Sequence, residues 1–285
     1  MHNLTDISYV RSILERHGFH FSKALGQNFL INPTVCPRIA EMGNAAAGFG
    51  VLEIGTGVGT LTAELAKRAD KVVAVELDDR LFPILEETLA DFNNVKVIHG
   101  DAMKYDLASL IAEEFQGLHV AVCANLPYYI TSPLIMRLLE EKLPIETITV
   151  MVQKEAAQRL CAPIGSRESG AVSVAVAFYG QAKQLFGVSR GSFMPAPNVD
   201  SAVIQITLHQ EKPWQVKDEA TFFRMVKVGF SQRRKQLSGV LAGGLSIPKA
   251  RMQEIFADAE IPQNVRIEAL TMEELVRLAN ALADT

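Results

Sequence analysis

Four short groups of residues in this chain have the types and spacing to do chemistry: Gly55-Thr-Gly-Val-Gly59, Glu76, Asp101 and Asn125-Leu-Pro-Tyr128. Glycines at every second position suit a strand-to-helix turn in which the backbone takes positive φ and a ligand comes close. The spacing G-x-G-x-G, rather than G-x-G-x-x-G, favours a nucleoside ligand without a pyrophosphate, such as S-adenosylmethionine. Glu76 stands about 20 residues beyond the turn, at the end of an apolar run, where an acidic side chain can accept the hydroxyl hydrogens of a ribose; the competing role is capping of the next helix. Asp101 can accept from the exocyclic amine of an adenine, or cap a helix. Asn125-Leu126-Pro127-Tyr128 suits methyl transfer to an amine. The N6 lone pair of adenine is delocalised into the ring, and an acceptor for each N–H frees it. The Asn125 side-chain oxygen and the Leu126 carbonyl can be those acceptors, aimed by Pro127. The Tyr128 ring can stack on the base, worth about 1–3 kcal/mol. No strong base is needed, so the work is positioning and stabilising developing charge. An ordinary strand-to-helix turn is the alternative for this stretch.

These groups need elements to carry them. Val51–Ile54 reads as a short buried strand, apolar except for Glu53, and 60–68 as the helix after the turn. Strands follow at 71–77, 95–99, 119–124 and 145–152, with helices at 79–89, 131–142 and 153–160 between them. A helix over 171–179 and strands at 184–188 and 202–208 complete a doubly wound, mostly parallel α/β sheet. Gly55, Glu76, Asp101 and Asn125 then all fall at carboxyl ends of strands, where such sheets bind ligands. Ahead of the sheet, 5–17 reads as an amphipathic helix with Ile7, Val10, Ile13 and Leu14 on one face. In Lys23-Ala-Leu-Gly-Gln-Asn-Phe-Leu-Ile-Asn-Pro33, Gln27 and Asn28 sit among apolar residues and suit turn and cap chemistry as well as they suit a site role, and Pro33 can open a helix running to about Met42. Beyond Pro213 the pattern is wholly helical: a segment over 219–242, then helices at 248–257 and 271–283. The expected domains are 1–210, Rossmann-like, and 211–285, all-α.

Composition narrows the classes. A chain of 285 residues with 48% hydrophobic and 21% charged content is an ordinary globular protein. No apolar run approaches the roughly 18 residues of a membrane span, and nothing resembles a signal peptide. Cys36, Cys123 and Cys161 lie far apart, which suits a reducing cytoplasm and offers no metal spacing. Methylation of a pyrimidine C5 needs a cysteine nucleophile, usually after a proline; Cys123 follows Val122 and Cys36 precedes Pro37. An amine acceptor is favoured, and Cys123 reads as core. The net charge of −4 excludes a uniformly basic coat, so a nucleic-acid partner needs a local patch. One exists: Arg224 to Lys235 holds five basic residues and no acidic one. Arg233, Arg234 and Lys235 are expected together on a helix, with Lys154, Arg159 and Arg167 elsewhere. Such a cluster can hold phosphates with salt-dependent affinity; a solvated helix face is the alternative.

Taken in order, Leu25-Gly-Gln-Asn-Phe-Leu30, Glu53-Ile-Gly-Thr-Gly-Val-Gly59, Glu76-Leu-Asp78, Gly100-Asp-Ala102, Asn125-Leu-Pro-Tyr-Tyr129, Gln153-Lys-Glu155, Phe193-Met-Pro-Ala-Pro-Asn-Val-Asp-Ser-Ala-Val203 and Phe230-Ser-Gln-Arg-Arg-Lys235 resemble the ribosomal RNA adenine dimethyltransferases over nearly the whole chain, and most closely their bacterial small-subunit (KsgA-type) group. The resemblance implies a Rossmann-like methyltransferase fold and transfer of methyls from S-adenosylmethionine, leaving S-adenosylhomocysteine. It implies N6 of two adjacent adenines as acceptors, in a hairpin near the 3′ end of small-subunit rRNA, late in 30S assembly in the cytoplasm. A looped adenine is already partly unstacked, which lowers the cost of taking it into a pocket. The implied roles are pocket closure for Gln27, Asn28 and Leu30, the methionine part for Gly55 with Gly57, the ribose for Glu76 with Leu77, and the cofactor adenine for Asp101 and Ala102. Asn125 and Leu126 would hold the acceptor amine, Asn125 also bordering the cofactor, with Tyr128 and Phe193 on the two faces of the target base; the role of Phe193 rests on the resemblance alone. Arg233, Arg234 and Lys235 would hold RNA. No metal, no membrane and a monomer are expected.

Two departures stand out. Thr56 replaces a proline usual in the family, which implies a looser glycine turn with cofactor binding intact. The segment 162–170 also differs at its start. The rival readings are an Erm-type large-subunit rRNA dimethyltransferase, which usually has isoleucine where Leu126 stands, and a ribosome-assembly factor that binds RNA without turnover. DNA adenine methyltransferases usually carry a second proline after the first.

Overall fold

The computed structural model describes residues 3–22 and 25–284. They form helices α1 (Ile7–Arg16), α2 (Val35–Met42), α3 (Thr60–Ala66), α4 (Phe82–Thr88), α5 (Leu107–Glu114), α6 (Thr131–Glu140), α7 (Lys154–Leu160), α8 (Ala171–Tyr179), α9 (Glu219–Ser231), α10 (Leu237–Gly244), α11 (Lys249–Asp258) and α12 (Met272–Ala283). The strands are β1 (Phe29–Leu30), β2 (Phe49–Ile54), β3 (Lys71–Glu76), β4 (Val95–His99), β5 (His119–Asn125), β6 (Thr147–Gln153), β7 (Gly180–Val188), β8 (Phe193–Met194) and β9 (Ser201–Leu208). Seven strands make one sheet in the order β4-β3-β2-β5-β6-β9-β7, parallel from β4 to β6, with β9 antiparallel to β6. β1 and β8 pair as a separate antiparallel ribbon that sets Leu30 opposite Phe193. Among the described residues no helix is long and apolar enough to cross a membrane.

The apolar runs become central strands because both faces are covered. Val51, Leu52, Val72, Val73, Ala121 and Val122 are all buried, as parallel strands under helices require. The chain leaves β2 for β3 and β4, then returns to β5 on the other side of β2. That reversal puts a crevice at the carboxyl ends of β2 and β5. Close packing has local demands: a Cβ on Gly50 would lie 2.1 Å from the Phe115 ring, so only glycine lets the strand reach it.

The chain falls into two compact units, Met1–Ala157 with Lys183–Leu208, and Gln158–Ala182 with His209–Thr285. This differs from a single border at 210, because the 158–182 excursion between β6 and β9 belongs with the C-terminal helices. Its Val174 and Phe178 join Phe222, Met225, Leu241, Phe256 and Leu278 in one core. The apolar pattern of α8 therefore serves that core.

Two helical stretches differ from the sequence expectation, and the β1–β8 ribbon was not part of it. α5 was not anticipated, although Leu107, Leu110 and Ile111 carry its buried face and Asp106 caps it. The expected continuous helix over 219–242 is broken. Residues 232–236 form a turn, and Leu237 folds back to donate its N–H to the Val265 carbonyl at 2.8 Å. Gly229 makes room for the fold: a Cβ there would stand 2.2 Å from Ile267 and 3.0 Å from Leu237. Phe230 and Leu237 are seven residues apart, two helical turns, so the stripe reads as continuous although the chain turns between them. Arg233, Arg234 and Lys235 consequently lie in a turn, not on a helix.

Candidate functional site

The crevice of the first unit is lined by the residues singled out above: Gln27, Asn28 and Leu30 from the N-terminal segment, Gly55 and Gly57, Glu76 and Leu77, Asp101 and Ala102, Asn125, Leu126 and Tyr128, and Phe193. Of the segment quoted from Lys23 to Pro33, Lys23 and Ala24 lie outside the described residues. Gly55 (φ 77°) leads out of β2, and its missing Cβ would point into open space, so any side chain there would occupy the cleft. Gly57 (φ 54°) has the Phe29 ring against it, 3.0 Å from where a Cβ would be. The turn is thus pressed from one side by the N-terminal segment and open on the other.

Glu76 ends β3, 6% exposed, and its carboxylate accepts from the Thr56 N–H (2.8 Å), the Thr56 hydroxyl (2.9 Å) and the Asp78 N–H (2.9 Å). The cap of the following turn is Asp78, which accepts from the Arg80 N–H, so Glu76 does not serve as a helix cap. The glycine turn is tied by Thr56 rather than loosened by it. Asp78 also binds the Arg80 guanidinium, which holds its carboxyl below the ordinary range, and accepts from Gln27 Nε2 at 2.6 Å. Gln27 thereby anchors the N-terminal segment to the end of β3. Asp101 accepts from the Met103 N–H at 2.9 Å within a turn; the cap of α5 is Asp106. The carbonyls of Ala102 and Tyr105 in that turn accept from Arg137 on α6.

At the end of β5, Asn125 Nδ2 donates to the Asn28 carbonyl at 3.3 Å. Only the amide nitrogen can face a carbonyl, so the contact orients the side chain and leaves its oxygen to accept. The Pro127 carbonyl accepts from the Ile130 N–H and the Thr131 hydroxyl, which locks the turn. The Tyr128 hydroxyl is hydrogen-bonded to the Ser201 hydroxyl at 2.7 Å, which fixes the ring, and burial pushes its pKa up. Phe193 reaches the cleft through the β1–β8 ribbon.

Glu53 is the polar exception in the apolar strand β2, and sequence reasoning gives it no role. It is fully buried, lines the cleft, and neither carboxylate oxygen has a hydrogen-bond partner. Burial pushes its pKa up to about 8, the nearby Thr62 hydroxyl opposing and the Glu76 charge adding to the rise. A lone acid in a buried strand was the available signal, since an unpaired buried carboxyl is costly unless something pairs with it. The lining fits a cationic nucleoside: unpartnered acid at Glu53, acceptors at Glu76 and Asp101, and apolar walls from Ile54, Val75 and Leu77. Cys36 and Cys123 are buried and their thiols are pushed up by burial, so neither is an activated nucleophile.

In the second unit Arg233 donates to Glu268 and to the Arg167 carbonyl. Arg234 and Lys235 are exposed, and Arg167, Arg234 and Arg266 border one hollow with Glu168 and Glu268.

The strand order and the cleft at the switch point define a Rossmann-like methyltransferase fold. Solved structures agree: a dimethyladenosine transferase from Plasmodium falciparum matches with a TM-score of 0.72 at 24% identity, covering 88% of this chain and 95% of that one. The 23S rRNA methyltransferase ErmE matches at 0.68 and 27% identity, covering 90% and 100%. The family model of the ribosomal RNA adenine dimethylases matches residues 18–284, and the chain belongs to that family. Relatives named ribosomal RNA small subunit methyltransferase A are 45% identical in Geobacillus sp. (strain WCH70), with 95% of each chain covered, and 46% identical in Bacillus licheniformis, with 96% of this chain and 95% of the relative covered. That of Alkaliphilus oremlandii is 43% identical over 99% of both.

Proposed function

We infer that this protein dimethylates N6 of adenines in small-subunit ribosomal RNA with S-adenosylmethionine as donor, and that its substrate is the pair of adjacent adenines in the 3′-terminal hairpin of the assembling 30S subunit. The observation that carries the reading is the Asn125 amide, held by the Asn28 carbonyl with its oxygen free to accept, on the same rim as Glu76 and Asp101. The cofactor, when bound, supplies an electrophilic methyl on a sulfonium that is an excellent leaving group. Gly55 and Gly57 make room for it, Glu76 accepts from its ribose, Asp101 and Ala102 read its adenine, and Gln27, Asn28, Leu30 and Leu77 close around it. The Asn125 oxygen and the Leu126 carbonyl accept the N6 hydrogens of the target, which localises the lone pair. Tyr128 and Phe193 hold the two faces of the base. No general base is required, because the proton leaves a nitrogen that has already become cationic.

The test is methyl transfer from labelled S-adenosylmethionine to unmethylated small subunits, with large subunits in parallel and Asn125→Ala as control. Dimethyladenosine on the small subunit, lost in the variant, is the expected result. Label on the large subunit would instead establish the Erm-type reading, and binding without label would establish an assembly factor.

RNA affinity resides in Arg234 and Lys235, with Arg233 bracing the turn through Glu268. Replacing Arg234 and Lys235 together by alanine should lower the slope of log affinity against log salt by about one per lost phosphate contact. Arg233→Ala should show itself chiefly in a lower melting temperature. An unchanged slope in the double variant removes this patch from the RNA interface.

A further inference from the structure

Glu76 carries more protein donors than a ribose acceptor can spare. Thr56 alone gives its Oε2 two, an N–H at 2.8 Å and a hydroxyl at 2.9 Å, and Oε1 accepts the Asp78 N–H. A carboxylate offers about four lone-pair sites. Three are filled, so about one remains, whereas a ribose brings two neighbouring hydroxyls. The Thr56 hydroxyl has a second acceptor in reach, the Gly57 carbonyl at 3.3 Å. With a single proton it serves one acceptor at a time, and changing over needs only rotation about its C–O bond. Thr56 and Glu76 are both buried, 5% and 6% exposed, and solvent reaches them only by way of the cleft they line.

We propose that the Thr56 hydroxyl is a place-holder on Glu76: it fills one ribose-hydroxyl site in the free protein and turns to the Gly57 carbonyl when a ribose with both hydroxyls enters. The proposal rests on the reading of Glu76 as the ribose acceptor. Thr56 is a positioning residue in this account. It spares Glu76 the cost of a buried, unsatisfied lone pair while the pocket is empty. It also sets specificity. A ligand lacking one ribose hydroxyl leaves a site that Thr56 can refill, so the penalty for the missing hydroxyl is muted. Proline at this position has neither an N–H nor a hydroxyl and cannot do either.

The experiment is calorimetric binding of S-adenosylhomocysteine and of its 2′-deoxy and 3′-deoxy forms to the full chain, comparing wild type, Thr56→Val, Thr56→Ser and Glu76→Ala. The readout is the ratio of deoxy to full-ribose dissociation constants. For at least one deoxy form, Thr56→Val should raise that ratio about tenfold over wild type, the scale of one unsatisfied buried acceptor, and Thr56→Ser should restore it. If valine fails to fold, as a thermal melt will show, Thr56→Ala gives the same comparison. Equal ratios in wild type and Thr56→Val, with Glu76→Ala binding at least a hundredfold more weakly, overturn the place-holder while sparing the ribose reading. Equal losses for all ligands in Thr56→Val reduce Thr56 to a packing role and overturn it too. Wild-type affinity in Glu76→Ala overturns the ribose reading and this proposal together.

Discussion

Asn125→Ala is expected to lower kcat for methyl transfer by about 10²–10³-fold, the scale of losing one preorganised group that acts on developing charge. The fold should tolerate the change, because Asn125 is half-buried and the hydrogen bond from its side chain to the Asn28 carbonyl is a long one at 3.3 Å. The loss belongs in kcat because the Asn125 oxygen matters most as the N6 nitrogen turns tetrahedral and positive; in the ground state a planar amine gains little from it. KM for RNA should move far less, since phosphate contacts at a distance dominate affinity. Asn125→Asp separates two contributions. It keeps an acceptor but loses the donor to Asn28, setting oxygen against oxygen, so its rate should fall between wild type and alanine. Single-turnover rates at saturating cofactor and RNA decide this. A kcat within threefold of wild type in Asn125→Ala would remove the amide from the chemistry and leave the turn as mere scaffold.

What the sequence makes legible follows from where local rules act alone. The glycine turn, the acid ending the next strand and the Asn-Leu-Pro-Tyr stretch each sit at a strand end, and strands that are apolar throughout announce themselves. Four placements on one rim of the sheet followed from that rhythm. Contacts between distant segments had no such signal. Nothing in Leu25 to Leu30 says that Asn28 offers its carbonyl to Asn125, or that Gln27 is held by Asp78. Thr56 read as a loosening of the turn because its partner, 20 residues away, was not visible as one. The break after Ser231 was hidden because a seven-residue spacing satisfies a helix and a helix-turn-helix alike. The excursion 158–182 joined the wrong neighbours for a related reason: an apolar helix shows that it needs a core, but not which core.

Glu53 predicts an unusual dependence of stability on pH. Its folded pKa is raised from 4.5 to about 8, burial being the first cause. Between those values the folded chain binds a proton that the unfolded chain has released. Stability contributed by neutral Glu53 is therefore whole below about pH 4.5, declines as pH rises, and is gone above about pH 8. The change across the window is about 3–5 kcal/mol, enough to compete with the whole margin of an ordinary domain. The charge of nearby Glu76 adds to the effect, and Cys36 and Cys123, whose thiols feel the Glu53 charge, stay neutral throughout. Glu53→Gln keeps the shape and removes the titration. In the absence of ligand its melting temperature should be flatter between pH 5 and pH 9 than that of wild type, and the difference between the two should grow in favour of the variant as pH rises. Parallel curves would mean that the carboxyl is paired or hydrated in solution. The residue is expensive for the empty protein because it lines the cleft with a buried carboxyl whose oxygens have no hydrogen-bond partner, and a chain retains such a group where a ligand can repay it. Glu53→Gln should accordingly gain stability while losing affinity for a cationic cofactor, the opposite signs that separate a site residue from a packing one.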